Sequence, residues 1–356
     1  MSAAARLQYY RRVLPAYLGS GRSQLTFWHE TPEINPDAFD SHAIARAAAD
    51  RQLGPYYMSF REKADYAGAH DANGIPMLDY RGAIGLQYNP IAIAQWGLGN
   101  YNLFCGHAFS KRGLSEHALS QHASSEHSNA ARLQSTLKSG DWLASSLEQN
   151  PHGCWVWNHH FDWEYRETLR APWYSGLAQG QGVSLLLRAH AQTGDAKYRQ
   201  AAEQAFVSLT KPIDQGGVLF EDDENNLWIE EYLVHPPTHI LNGFIWALWG
   251  VFDFCATSGD ASAKQIFDRC VQTLLQNLAR FDTGYWSLYE QSGTQLKMLA
   301  SPFYHRLHIV QLRVMASLTG KCQFAEVADR WEGYAQRRAN RSRALVEKSI
   351  FKLLHY

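Results

Sequence analysis

The sequence predicts a mainly α-helical protein, an (α/α) toroid of helix hairpins with a small N-terminal β-hairpin region. Three observations point to it. First, residues 180–206, 242–270 and 310–334 each begin as an apolar helix, break at a short turn and resume as an amphipathic helix. The turns are Thr193-Gly194-Asp195, Ser258-Gly259-Asp260 and Thr319-Gly320-Lys321, and Gly194 and Gly259 stand 65 residues apart. A hairpin recurring at such a period marks a helical array, in which each unit buries its apolar face only against its neighbours. Second, long segments (151–171, 214–239 and 281–305) join the hairpins, which suits a closed ring better than an open solenoid. Third, Gly68, Gly74, Gly82 and Gly85 punctuate short mixed runs ahead of Pro90, the pattern of a hairpin or two.

Taken in order, residues 1–20 read as a short amphipathic helix with Arg6, Arg11 and Arg12 on its polar side. Pro32, Pro36 and Pro55 make 21–55 an extended arm, with one helix near 41–51. From Pro90 onward the run IAIAQWGLGNYNLF carries apolar residues at helical spacing. The chain therefore divides into an N-terminal helix, arm and hairpin segment (1–90) that packs on a toroid (91–356). His107, His117, His122 and His127 fall in a helical stretch, but the five-residue step between the last three rotates about 140° on a helix. They share no face, and no metal site is assigned.

Lys plus Arg total 33 and Asp plus Glu 34, for a formal net charge of −1. That balance argues against nucleic acid or an anionic membrane as the main partner. The most apolar run, 243–254, has 12 residues and is too short to span a bilayer. Five scattered cysteines without a CxxC pair, and no apolar leader, fit a reducing, cytoplasmic setting. Aromatic residues make up 13% of the chain, more than packing asks for, and suit a groove that stacks on flat ligands such as sugars or bases.

Chemistry concentrates in four segments of the long connections: 155–182, 228–246, 281–291 and 301–311. Each places Tyr with Glu, His or Arg at the same end of a repeating hairpin. Asn242 and Trp246, like Tyr304 and His308, are four residues apart and lie on one helix face. A pair of carboxylates alone would suggest glycoside hydrolysis, with Asp162 or Glu164 as partner to Glu231. The Tyr–His–Arg mixture suggests instead abstraction of a proton α to a carboxylate. That needs a base at the carbon and donors or a cation at the developing aci-carboxylate. An epimerase, a β-eliminating lyase and a non-catalytic glycan-binding toroid all remain open on these residues.

The stretches GIPMLDYRGAIGLQYNPIAIAQWGL (74–98), APWYSGLAQGQGVSLLLRAHAQTGD (171–195), EEYLVHPPTHILNGFIWAL (230–248), FDTGYWSLYE (281–290) and YHRLHIVQL (304–312) are decisive. Together they resemble, in order, the C-terminal domain of the D-glucuronyl C5-epimerases that act on heparosan and heparan sulfate. The resemblance implies a cofactor-independent isomerase that turns D-glucuronate into L-iduronate within a heparosan-like acidic polysaccharide. It implies active-site roles for Glu231, Tyr232, Tyr289 and Tyr304, with His305 beside the last. One member of the Glu231/Tyr232 pair would serve one ring face and Tyr304 the other, while Tyr289 and His305 hold the carboxylate. Asn242, Trp246 and Tyr88 fall on substrate contacts, and Arg61, Lys63 and Tyr80 where the family supplies basic and aromatic contacts. With Arg166, Arg306, Glu164 and His308 they complete the expected groove. Ser292 stands where animal members carry an Arg, so an unsulfated polymer is the simpler expectation. Family members often pair as dimers, so a homodimer is one expectation, and the apolar run 350–356 is a candidate to dock on a partner or on its own domain.

Overall fold

A computed structural model describes residues 27–28, 30–39, 53–110, 122–165, 167–294 and 296–355. The helices expected at 1–20 and near 41–51, the side chains of His107, His117, His122 and His127, and Arg166 lie outside the described residues.

Four helix hairpins follow one another. They are α1 (Pro90–Ser110) with α2 (His122–Ser145), α3 (Gly176–Thr193) with α4 (Ala196–Phe206), α5 (Leu241–Ser258) with α6 (Ala261–Asn277), and α7 (Pro302–Thr319) with α8 (Cys322–Gln336). A further helix, α9 (Arg338–His355), follows α8. The odd-numbered helices of the hairpins form an inner ring. α3 is buried without interruption from Gly176 to Ala189, and α5 from Leu241 to Val251, as expected of helices apolar on every side. The outer helices bury single stripes. Tyr198, Ala201, Ala202 and Ala205 on α4, and Phe324, Val327, Ala328 and Trp331 on α8, repeat the i, i+3, i+4, i+7 spacing. The fold is thus the expected mainly α (α/α) toroid. The α1–α2 hairpin is a fourth unit that the three sequence repeats did not include.

The three repeated turns share one geometry. Inner helices α3, α5 and α7 each end on a glycine with positive φ, 69° at Gly194, 70° at Gly259 and 68° at Gly320. The glycine N–H returns to the carbonyl four residues back, on His190, Cys255 and Ala316 respectively. Asp195 and Asp260 then accept backbone N–H bonds at the start of α4 and α6. Inner helices approach closely where α3 meets α5. A Cβ on Gly250 would lie 2.2 Å from the Gly180 carbonyl oxygen.

At the opposite end lie the long connections, which contain short antiparallel ribbons. β1 (Leu78–Asp79) pairs with β2 (Leu86–Gln87) in the expected N-terminal hairpin. β3 (Glu148–Gln149) pairs with β4 (Trp155–Val156), β5 (Trp163–Glu164) with β6 (Thr168–Leu169), and β7 (Leu219–Glu221) with β8 (Leu227–Ile229).

Residues 53–64 thread into the interior between α1, α5 and α7. Asn102 on α1 accepts the Tyr56 N–H (2.6 Å) and donates to the Met58 carbonyl (2.7 Å). Tyr57 donates to Asp253 on α5 (2.5 Å), which pairs with Arg188 on α3 at 2.6 Å. Both ions of that pair are buried, so each must be matched by the other and by hydrogen bonds. Arg188 also donates to the Ser184 and Gly54 carbonyls. Among the described residues no helix is long and apolar enough to cross a membrane.

Candidate active site

The site forms where the long connections meet the starts of the inner helices. β8 delivers Glu230, Glu231 and Tyr232 to the mouth of α5. Glu231 lies against Gly243, where any side chain would collide with it: a Cβ would stand 2.1 Å from Glu231 Oε2. The 281–290 connection brings in Tyr289, whose carbonyl accepts the Leu241 N–H at 3.1 Å. Ser301 caps α7 by accepting the Tyr304 N–H, and Pro302 fits the first turn, so Tyr304 projects from the helix start.

These four side chains converge. The rings of Tyr289 and Tyr304 meet edge to face, with centroids 4.8 Å apart. Tyr232 hydrogen-bonds to Glu231, and its ring sits 4.8 Å from Tyr165 and 5.7 Å from Trp173. Burial drives the Glu231 carboxyl up to about 8, helped by the charges of Glu290 and Glu230 and opposed by the Tyr232 hydrogen bond. Burial and the Glu231 charge likewise hold the Tyr289 phenol well above its ordinary value. Asn242 Nδ2 lies 3.5 Å from Glu231 Oε2. Asn242 Oδ1 and Trp246 Nε1 are buried with no hydrogen-bond partner among the described residues, polar atoms a ligand could satisfy.

A cleft opens beside Tyr304, lined by Tyr304, Trp246, Phe303, Gln95, Phe60 and Lys63 among others. Lys63 is buried, donates to the Phe27 carbonyl at 2.5 Å and lies 3.6 Å from Glu30. Burial lowers its ammonium to about 8.

Several expected residues lie elsewhere. His305 was expected to hold a carboxylate, but it is fully buried behind the cluster. Its Nδ1 accepts from the Ser287 N–H (3.2 Å), its Nε2 meets the Trp331 carbonyl (3.0 Å), and its ring stacks on Trp286. Burial lowers it to about 4, so it is a neutral core histidine with both nitrogens engaged. His308 is also buried, its Nδ1 3.0 Å from the Ser287 hydroxyl, which lies 2.8 Å from His305 Nδ1 as well. Tyr88 donates to Asp71 (2.8 Å), and Tyr80 accepts from Asn89 (2.8 Å) within a small separate core around Phe161. Arg61 and Arg306 are exposed. Glu164 sits half-buried on β5, next to Tyr165.

Sequence reasoning missed three residues. Tyr165 donates to Glu290, and both are buried. Lys348 on α9 places its ammonium 5.2 Å from the Tyr289 ring centroid. Glu290 and Tyr165 stood inside quoted segments; Lys348 stood in a tail that reads only as amphipathic. Among the described residues no group of three or more His, Cys, Asp or Glu side chains is placed to hold a metal ion.

Comparison with known proteins bears on this geometry. The D-glucuronyl C5-epimerase of Caenorhabditis elegans is 31% identical over 213 residues, 55% of this chain and 34% of that protein. An uncharacterized protein of Methanocaldococcus jannaschii is 27% identical over 179 residues, 49% of this chain and 56% of that one. The chain thus spans about a third of the worm enzyme and just over half of the archaeal protein. Among solved structures, the unsaturated glucuronyl hydrolase of Bacillus sp. GL1 covers 68% of this chain and 61% of its own, at 13% identity and a TM-score of 0.44. The family described as D-glucuronyl C5-epimerase C-terminus matches residues 149–333. That span, more than half of the chain, holds Glu231, Tyr232, Tyr289 and Tyr304 together with the inner helices that present them, and the chain belongs to that family.

Proposed function

We propose that the protein inverts C5 of D-glucuronate residues to L-iduronate within an unsulfated, heparosan-like polysaccharide. The observation that carries this reading is the convergence of Glu231, Tyr232, Tyr289 and Tyr304, the last of which lines a cleft. Inversion needs an acid–base group on each ring face, and no net atom is gained or lost. A base takes the C5 proton, electron density moves into the neighbouring carboxyl group, and an acid returns a proton from the opposite face. Glu231 with its hydrogen-bonded Tyr232 serves one face and Tyr304 the other. A Glu that titrates near 8 takes and gives a proton near neutral pH more readily than an ordinary carboxylate. Lys63, on the cleft wall, supplies a positive charge for the substrate carboxylate. The open polar atoms of Asn242 and Trp246 are suited to sugar hydroxyls. All five cysteines are free, which supports a reducing compartment as the setting.

The test is incubation of heparosan with the protein in D₂O. Deuterium at C5 with iduronate in the product is expected, and Tyr304→Phe should lose most of the turnover. No label and no iduronate would refute the reading. Ultraviolet absorbance of an unsaturated uronate would instead assign β-elimination on the same groups.

A further inference from the structure

The C-terminal helix α9 lies beyond the family match, which ends at residue 333, yet it is built onto the site. It clamps the connection that carries Tyr289. Tyr285 donates to Glu347 at 2.5 Å, and the Arg343 guanidinium stands 3.8 Å over the Tyr285 ring. Phe351 and Ala344 are buried in the main core. Between them Lys348 points inward, only 9% exposed. Its ammonium donates to the Leu299 carbonyl at 2.7 Å and faces the Tyr289 ring. Leu299 in turn bridges Leu288, so the lysine is tied to the strand-like segment next to Tyr289. Burying an ammonium costs free energy that a Met or Leu there would not. A carbonyl, a ring face and the charge of the buried Glu290 compensate it, and all three lie on the connection around Tyr289.

We infer that Lys348 is a positioning residue for Tyr289, its positive charge steadying negative charge that develops on the phenol and on the substrate group it touches. The inference rests on the epimerase reading for its kinetic consequence, though not for its electrostatic one. A cation over an aromatic face is attracted to the ring, and more strongly to an electron-rich phenolate. It also opposes the two influences, burial and the Glu231 charge, that hold the Tyr289 proton on.

The charge is itself sensitive to pH. Burial and Lys352 on the same helix together bring Lys348 down to about 7, against the opposing charge of Glu290. His308 on α7 also faces it, and Tyr165 faces it indirectly through Glu290. Lys348 thus loses its charge as pH rises through neutrality, and turnover should fall with it.

The experiment compares the full chain with Lys348→Met and Lys348→Arg. C5 deuterium wash-in is followed against pH, and 3-fluorotyrosine placed at 289 is titrated by ¹⁹F NMR without substrate. Lys348→Met should lower kcat about tenfold or more at neutral pH, with KM changed little, and should lack the alkaline fall. Lys348→Arg, charged throughout, should restore most of the rate and extend it to higher pH. Lys348 is already neutral where the Tyr289 phenol titrates, so the titration compares the two variants, and the ring should titrate about one pH unit lower with the permanently charged arginine than with methionine. Equal ring titrations in the arginine and methionine variants, or a rate loss that arginine does not rescue, would overturn the inference. If the wild-type protein exchanges no C5 proton, the epimerase reading fails, while the ¹⁹F titration still decides the coupling.

Discussion

Replacing Gly243 by Ala tests the site with one methyl group. The added Cβ would stand 2.1 Å from Glu231 Oε2, 2.7 Å from its Cβ and 2.8 Å from its Cδ, where ordinary contact begins at 3.4 Å. The helix backbone cannot yield alone, because the Gln311 side chain donates to the Asn242 carbonyl and the Leu241 N–H is held by Tyr289. Glu231 must therefore retreat by about 1.3 Å, and a misplacement of about 1 Å costs roughly 10²-fold in rate. Stability should move far less. Alanine gains about 1 kcal/mol over glycine inside a helix, which offsets part of the cost of the crowding. Gly333 on α8 supplies the control, since nothing lies within 4 Å of a Cβ there. The assay is initial C5 deuterium wash-in, with circular dichroism melting for both variants. A Gly243→Ala protein that melts like the parent and exchanges within about threefold of its rate would refute the placement of Glu231 at the reacting carbon.

Three further outcomes are expected. Folded Glu231 keeps its proton up to about 8, against an ordinary 4.5, so unfolding releases a proton between those values and stability falls as pH rises across that window. Glu231→Gln should flatten that slope in urea midpoints measured from pH 5 to 8, and should abolish exchange. Asp253→Asn leaves Arg188 buried without its counter-charge and should cost about 3–5 kcal/mol. With about 2.1 cal/mol/K of unfolding entropy per residue, that lowers Tm by about 4–7 °C for this chain, by calorimetry. Gly250→Ala places a methyl 2.2 Å from the Gly180 carbonyl oxygen and should destabilise by about 1–3 kcal/mol, read from the urea midpoint.

The helical ring was legible because its signals are local. Gly194-Asp195 and Gly259-Asp260 place a helix stop and a helix start side by side, and the structure uses them as such. The α1–α2 hairpin offered no such punctuation. The convergence of Tyr232, Tyr289 and Tyr304 followed from the repeat, which brings equivalent helix starts to one end. The direction of each side chain did not follow. His305 adjoins Tyr304 in sequence, yet one residue along a helix is a rotation of about 100°, enough to send its ring toward Trp331 rather than the cleft. Tyr80 and Tyr88 carry aromatic character that a small local core and Asp71 absorb. Lys348 was unreadable for a different reason. A lysine among apolar residues looks like a snorkelling surface cation, and only the placement of α9 turns it inward.

The polarity of the ring has a practical consequence for handling. Inner helices α3, α5 and α7 each run 18 residues, about 27 Å at 1.5 Å per residue. The tyrosines sit at one end of that length and the glycine turns at the other. A tether grafted at Thr319-Gly320-Lys321, where nothing lies within 4 Å of a Cβ on Gly320, would fasten the protein to a support by its blank side. The cleft would then face outward, free to receive a polymer far longer than the protein itself.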